Sequence, residues 1–218
     1  MNQKEQAFTK LLLEENTRQN LTRITDPSEI AAKHFADSLT LLKHLPQKGK
    51  IIDVGTGAGF PAVPLAIANE NLEITALDSL NKRIDFLKSA KQQLKLDNFH
   101  PLHARAELLA QTKEYREQFD ACVSRAVANL AALCEYCLPF VKIGGLFIAM
   151  KGKTADEETA EAAFAIKTLG GTLKQTIPYT LPGIDNHCLV IIEKTKATPA
   201  NFPRQRVNIS KNPLHPTT

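Results

Sequence analysis

The chain has 218 residues, of which 43% are apolar and 23% charged, and this composition supports one substantial hydrophobic core. No apolar run approaches the ~18 residues of a membrane span, and the first residues show no signal-peptide pattern. The four cysteines are irregularly spaced, which excludes a disulfide framework and favours reduced thiols. We therefore expect a soluble cytoplasmic protein, monomeric and without a bound metal.

The net charge of +4 is distributed unevenly along the chain. Residues 51–193 carry 14 basic and 17 acidic side chains, whereas residues 194–218 carry five basic side chains and no acidic one. A basic tail beside a near-neutral body indicates a polyanionic partner, although ordinary solvated charge explains five residues equally well. The candidate phosphate-binding cations are Lys151, at the end of a predicted strand, and Arg204, Arg206 and Lys211 in the tail.

The first 48 residues are predicted to form a helical cap. Phe8, Leu11 and Leu12 lie at helical spacing within a helix that reaches about residue 24. Asp26-Pro27 is a start signal for a second helix over about 28–44.

From residue 51 the pattern alternates between short apolar strands and helices, which is typical of a parallel sheet. Parallel strands are predicted at 51–54, 73–77, 99–103, 119–124 and 146–150. Helices are predicted over about 61–69, 81–95, 129–137 and 154–169, with Thr154 as the N-cap of the last. Strands at 173–178 and 187–193 would form a closing antiparallel pair. The chain thus divides into a cap (1–48), an α/β core (49–196) and a basic extended tail (197–218).

The first predicted strand ends in a glycine-rich turn that runs from Gly55 through Gly57 to Gly59. Glycine permits positive φ and close approach of the backbone to a ligand, and the next helix would point its N–H groups at the strand end. The spacing is G-x-G-x-G after Asp53, not the G-x-G-x-x-G of dinucleotide folds. This arrangement resembles motif I of S-adenosylmethionine-dependent methyltransferases, while a plain tight turn is the alternative.

Acidic residues after the next two strands complete a candidate cofactor site. Asp78 ends the second strand and can accept hydrogen bonds from both ribose hydroxyls, which also suits NAD; capping the following helix is its alternative role. Ala106-Glu107, after the third strand, would read the adenine edge. Asp53 lies inside an apolar strand, where an unpaired carboxylate is costly, so it would accept loop amides or approach the cofactor's amino group. Together these features predict an S-adenosylmethionine site.

Several runs closely resemble the RsmG (GidB) family, bacterial ribosomal RNA small subunit methyltransferase G. They include residues 53–61, 77–83, the Ser124-Arg125-Ala126 run and the terminal Lys211-Asn212-Pro213-Leu214. One departure is Glu15, where many members carry Trp. The resemblance implies N7-methylation of one guanine in the decoding-region loop of 16S rRNA. It also implies contacts to S-adenosylmethionine from Gly55, Phe60, Asp78, Ser79, Leu80, Ala106, Glu107 and Arg125.

The chemistry implied by this resemblance needs no general base, because guanine N7 carries a free lone pair at neutral pH. Catalysis would be mainly positioning, and the sequence lacks both the Asn/Asp-Pro-Pro-aromatic motif and the Pro-Cys motif of other nucleic-acid methyltransferases. Arg125 is predicted to bind the cofactor carboxylate or a substrate phosphate, with a surface ion pair as its alternative role.

The remaining cysteines and histidines favour structural roles. Cys122, Cys134 and Cys137 are predicted to pack in the core, since the C-x-x-C pair has no second pair beside it. His34 and His187 are more typical of structural histidines, although His187 is also a candidate for lining a base pocket.

The sequence thus predicts a class I S-adenosylmethionine-dependent methyltransferase with a Rossmann-like, mainly parallel sheet, acting on the small ribosomal subunit. A small-molecule methyltransferase, which would have a closed apolar pocket, and an NAD(P) enzyme or a non-catalytic nucleotide-binding regulator are the alternatives.

Overall fold

One seven-stranded sheet organises the computed structural model, which describes residues 1–125 and 127–216. The strand order is β3-β2-β1-β4-β5-β7-β6. The first five strands run parallel, and β7 is antiparallel to both of its neighbours. The predicted fold class is confirmed. The strands are β1 Gly49–Val54, β2 Leu72–Asp78, β3 Phe99–His103, β4 Phe119–Arg125, β5 Val141–Lys151, β6 Gly171–Leu181 and β7 Ile184–Lys194.

Helices flank the sheet on both faces. They are α1 Gln3–Gln19, α2 Pro27–Ile30, α3 Asp37–Leu39, α4 Ala62–Ala68, α5 Asn81–Leu94, α6 Ala106–Leu109, α7 Leu130–Cys137, α8 Ala155–Glu161, α9 Ala163–Thr168 and α10 Arg206–Lys211. Within residues 1–125 and 127–216, every helix is too short or too polar to span a lipid bilayer.

The core has two halves, one on each face of the sheet. Ile51 and Ile52 of β1 are both fully buried, yet they belong to different hydrophobic clusters, because successive side chains of a strand point to opposite faces. One cluster includes α1, α4 and α5, and the other includes α7, α8 and α9. The near-continuous burial of β1 is what a parallel sheet covered on both faces requires.

The cap shares the first of these clusters with the sheet. Helix α1 begins with a capping box between Asn2 and Glu5 and ends at Gln19, earlier than predicted, where Asn20 takes a left-handed conformation. A second helical stretch begins at Asp26, whose side chain accepts from the backbone of the first turn, as the start signal predicted. It passes through a π-helical segment, Ala31–Ala36, and a 3₁₀ segment, Thr40–Lys43. Phe8 and Phe35 pack edge-on against Phe60 of the glycine loop.

Three local predictions were wrong. The helix predicted over 154–169 is broken into α8 and α9, and the Thr154 hydroxyl bonds to Glu158 instead of capping the backbone. Strand β5 was predicted to start at Leu146, after Gly144-Gly145, but it starts at Val141. Val141 pairs with Phe119 of β4, and a register shift between Phe119 and Ala121 accommodates the residues in between. The tail is not wholly extended: it contains α10, which forms because it can bury Ile209 completely.

Candidate cofactor and substrate cavities

The glycine loop at the end of β1 has the conformation that its sequence predicted. Gly55, Gly57 and Gly59 all have positive φ, at 78°, 60° and 98°. The N–H groups of Gly55 and Thr56 donate to the Leu77 carbonyl at 2.9 and 3.0 Å. The loop therefore turns across the end of β2, at the carboxyl edge of the sheet where open α/β folds bind ligands.

Asp78 connects this loop to β2 and α5. One carboxylate oxygen accepts from the Gly57 N–H (3.0 Å) and from Arg83 Nη1 (3.1 Å), and the other accepts from the Leu80 N–H (2.9 Å). The residue that caps α5 is Leu80, without a side-chain bond, so Asp78 does not play the alternative N-cap role. Its carboxylate is 4% exposed and lies in the wall of a cavity.

This first cavity has a volume of about 560 Å³ and lies over the ends of β1, β2 and β4. It brings together five of the predicted cofactor-binding residues, and its size is that of a ligand pocket. Sequence reasoning missed most of the opposite wall, which comes from the β4–α7 region and the tail. The predicted lining residues are Gly55, Asp78, Ser79, Ala106 and Glu107, and the missed ones include Arg83, Arg105, Val127, Asn129 and Tyr136.

Other predicted cofactor residues lie outside the lining of this cavity. Gly57 and Leu80 support it indirectly, through their N–H bonds to Asp78. Gly59 is packed against Leu87 and Val63. Phe60 is 4% exposed and belongs to the aromatic cluster shared with the cap.

Asp53 is buried beneath the loop. It is fully buried, and both of its carboxylate oxygens lack a hydrogen-bond partner among the described residues. Desolvation by burial raises the pKa of Asp53 to about 7. The predicted bonds to loop amides are therefore not formed, and the uncompensated carboxylate is a source of instability when it is ionised.

Asp53→Asn is expected to remove this instability at neutral pH. Since the folded pKa lies above the unfolded value, the folded chain holds a proton that the unfolded chain has lost, and the free energy of unfolding of the parent falls as pH rises from about 4 to 7. The uncharged variant lacks this loss. The free energy of unfolding of the variant minus that of the parent should therefore rise by roughly 2 to 3 kcal/mol from pH 5 to pH 8. Urea unfolding of both proteins at the two pH values measures the gain, and a pH-independent difference would contradict it.

Arg125 lines a second cavity, of about 690 Å³, on the other side of the end of β4. Its guanidinium donates to Asp37 Oδ2 at 3.0 Å and lies over the Phe60 ring, 5.4 Å from the centroid. Asp37 is 1% exposed and also accepts from the Tyr179 hydroxyl (2.7 Å) and, at 3.3 Å, faces His187 Nδ1. The cap, β4 and the β6–β7 hairpin thus meet at one buried carboxylate.

The two histidines of this region differ in environment. Burial and the neighbouring Arg125 lower the pKa of His34 to about 4, so its ring is neutral at pH 7. The His34 ring lies against Phe60, with centroids 4.5 Å apart and ring planes tilted by 31°, and it contacts the Thr22 hydroxyl. It also lines the second cavity. His187 lines the second cavity.

The four predicted RNA-binding cations differ in environment. Lys151 is buried, donates to the Ala128 carbonyl at 2.7 Å and pairs with Glu158 at 2.6 Å. Arg204 pairs with Glu135, a fully buried carboxylate on α7. Arg206 lies in the wall of the first cavity, while Lys211 is exposed.

The four cysteines are buried and unpaired. Burial raises the pKa values of Cys134 and Cys137 well above their ordinary range, which keeps them as inert thiols.

The first cavity fits S-adenosylmethionine. Gly55 and Val127 both line the cavity, and a Cβ at Gly55 would lie only 2.5 Å from Val127 Cγ2, so the bare loop backbone forms this part of the wall. The carboxylates of Asp78 and Glu107 supply acceptors for hydroxyl and amino groups. This donor and acceptor set suits a ribose, an amino group and a cationic centre.

Solved structures share this fold. A SAM-dependent methyltransferase from Aquifex aeolicus matches with a TM-score of 0.59 at 18% identity, covering 80% of this chain and 96% of that one. TYW2 of M. jannaschii, in complex with AdoMet, matches with a TM-score of 0.59 at 15% identity, covering 74% and 76%. The likeness concerns the fold alone. The sheet order and these neighbours show that the chain has the fold shared by class I S-adenosylmethionine-dependent methyltransferases.

The family follows from the sequence comparisons. The family described as rRNA small subunit methyltransferase G (GidB) matches residues 1–183, and the chain belongs to it. The ribosomal RNA small subunit methyltransferase G of Clostridium perfringens (strain SM101 / Type A) is 48% identical over 215 residues, covering 97% of this chain and 90% of that protein. That of Alkaliphilus metalliredigens (strain QYMF) is 47% identical over 218 residues, covering 98% and 91%. The resemblance of the motifs is confirmed.

Proposed function

We propose that this chain transfers a methyl group from S-adenosylmethionine to N7 of one guanine in the decoding-region loop of 16S rRNA. The observation that carries the proposal is the pair of adjacent cavities at the carboxyl edge of the sheet. Val127 lines the first and Arg125 the second, so a cofactor in one would face a substrate in the other across the end of β4. Membership of the family supplies the substrate class.

The second cavity has the size and the chemistry expected for an extruded guanine. Enzymes that modify a base take it out of the stack and hold it in a pocket. Apolar surface from Met150 and Ile184 is combined there with hydrogen-bonding groups from Arg125 and His187. Lys33, at the same cavity, pairs with the exposed Glu29 and would be within reach of a phosphate there.

The reaction asks the chain to position groups rather than to move a proton. The cofactor, when bound, supplies an electrophilic methyl group on a cationic sulfur. Guanine N7 would accept this methyl group through its free lone pair, and the positive charge would pass from sulfur to the guanine ring. No proton is lost at N7 in this reaction, so no side chain of the second cavity has to act as a general base.

Arg125 and Asp37 are the residues that we assign to substrate placement. The Asp37 carboxylate fixes the guanidinium by one bond, while the Arg125 side chain keeps 18% of its surface exposed at the cavity. It is therefore held in place with donors left for a phosphate or for the cofactor carboxylate. Holding two reactants in a reactive geometry accounts for much of the rate enhancement of a bimolecular reaction.

The decisive experiment is transfer of labelled methyl from S-adenosylmethionine to small ribosomal subunits that lack the modification, in parallel with naked 16S rRNA. We expect one labelled guanine, which is mapped by cleavage at N7-methylguanine, and action in the cytoplasm where subunits mature. Labelling at another atom or in another loop would refute the assigned site. Binding of S-adenosylhomocysteine without any RNA labelling would leave the fold assignment intact and favour a small-molecule substrate.

A further inference from the structure

The C-terminal segment is fixed to the body of the protein on the side of the first cavity. Arg204 makes a forked contact with Glu135 of α7, with Nε at 2.9 Å and Nη2 at 2.7 Å from the two carboxylate oxygens. The Arg204 N–H also donates to Glu135, at 2.7 Å. Because Glu135 is fully buried, this ion pair is costly to break and fixes the chain direction at that point.

The same arginine also holds the far end of α10. Its Nη2 donates to the carbonyl of Asn212, the residue that follows the helix, at 3.0 Å. Ile209 is completely buried, and α10 packs against α7. Both ends and the apolar face of this short helix are therefore held in one position relative to the cavity.

This position turns one face of α10 toward the first cavity. Arg206 and Ser210 are four residues apart, on the same face of the helix, and both line the cavity, together with Tyr136 of α7. Glu107 of α6 lines the same cavity, and α6 and α10 both pack against α7. Arg206 thus lies at the end of the cavity where Ala106-Glu107 is expected to bind adenine.

We propose that Arg206 is a cofactor-binding residue and that α10 forms the wall of the S-adenosylmethionine site at its adenine end. A guanidinium offers several N–H donors and a planar face that stacks on aromatic rings, and adenine presents ring-nitrogen acceptors and such a ring. The family match ends at residue 183, so this contribution comes from outside the matched region. It replaces an RNA-binding role for Arg206 and is independent of which base is methylated.

The test is the affinity for S-adenosylhomocysteine, measured by calorimetry without RNA. Arg206→Ala should weaken binding about tenfold, since loss of one stacked or charged contact is commonly of that size. Arg206→Lys should fall between this variant and the parent. Lys211→Ala, a change in an exposed basic residue of the same helix, is the matched control and should bind within about twofold of the parent.

Unchanged affinity of Arg206→Ala for S-adenosylhomocysteine would overturn the proposal, above all if binding to small ribosomal subunits weakened instead. A second measurement uses the unaltered chain. Trypsin cleavage after Arg206 should slow when S-adenosylhomocysteine is saturating, and equal rates with and without it would also overturn the proposal. Neither result depends on methyl transfer, so failure of the proposed rRNA substrate would be seen separately.

Discussion

Arg125→Gln is expected to lower the rate of methyl transfer about 100-fold or more and to lower the free energy of unfolding by about 3 kcal/mol. The rate falls because the side chain that we assign to substrate placement is shortened and uncharged. The stability falls because Asp37, 1% exposed, keeps its charge without its cation. Initial rates on small ribosomal subunits and urea unfolding measure the two losses.

A double variant separates these two effects. Asp37→Asn alone leaves the guanidinium short of a partner and should also destabilise. Arg125→Gln combined with Asp37→Asn removes both charges, so it should recover most of the stability, because replacing a buried pair by neutral groups is often close to neutral. Methyl transfer should stay low in the double variant. Recovery of the rate together with the stability would mean that Arg125 has only a structural role.

The sheet and the glycine loop could be predicted because they depend on local sequence. The spacing of apolar residues distinguishes strands from helices. The glycines at 55, 57 and 59 predict a turn with positive φ. The first four parallel strands were accordingly predicted to within two residues at each end.

Pairs that lie far apart in sequence could not be predicted in this way. Asp37 and Arg125 are separated by 88 positions, and Glu135 and Arg204 by 69. No periodicity relates such residues, since only the folded topology brings them together. The basic count of the tail was visible in the sequence, but it gave no sign that Arg204 is held by a buried carboxylate.

Cofactor contacts inferred from family motifs raise a different question, because a matching motif does not say which way a side chain points. Phe60 lies within a matching run, yet its ring packs with Phe8 and Phe35 beneath the cap instead of lining the first cavity. The contact of Phe60 with the cofactor therefore stays a prediction, while the structure gives its ring a packing role. The same holds for Gly59, whose neighbours are hydrophobic side chains.

Gly59→Ala is accordingly expected to cost about 3 kcal/mol of folding free energy. An alanine at φ 98° is strained, and its Cβ would lie 2.8 Å from both Leu87 Cδ2 and Val63 Cγ2. Left-handed backbone costs about 1–2 kcal/mol for a residue with a Cβ, and overpacking of a core adds about 1–3 kcal/mol. Urea unfolding of the variant against the parent measures the total.

Two other glycines provide the controls. Gly57→Ala has the conformational cost alone, about 1 kcal/mol, because the nearest atom to its Cβ would be the Gly55 carbonyl oxygen at 3.9 Å. Gly152→Ala should be close to neutral, since nothing lies within 4 Å of its Cβ and its φ is not in the left-handed range. Equal losses of unfolding free energy for Gly59→Ala and Gly57→Ala would show that the side chains beneath the loop rearrange to accommodate the new methyl group. The expected order, with Gly59 far the most sensitive, would show that the loop is held by the core that the cap completes.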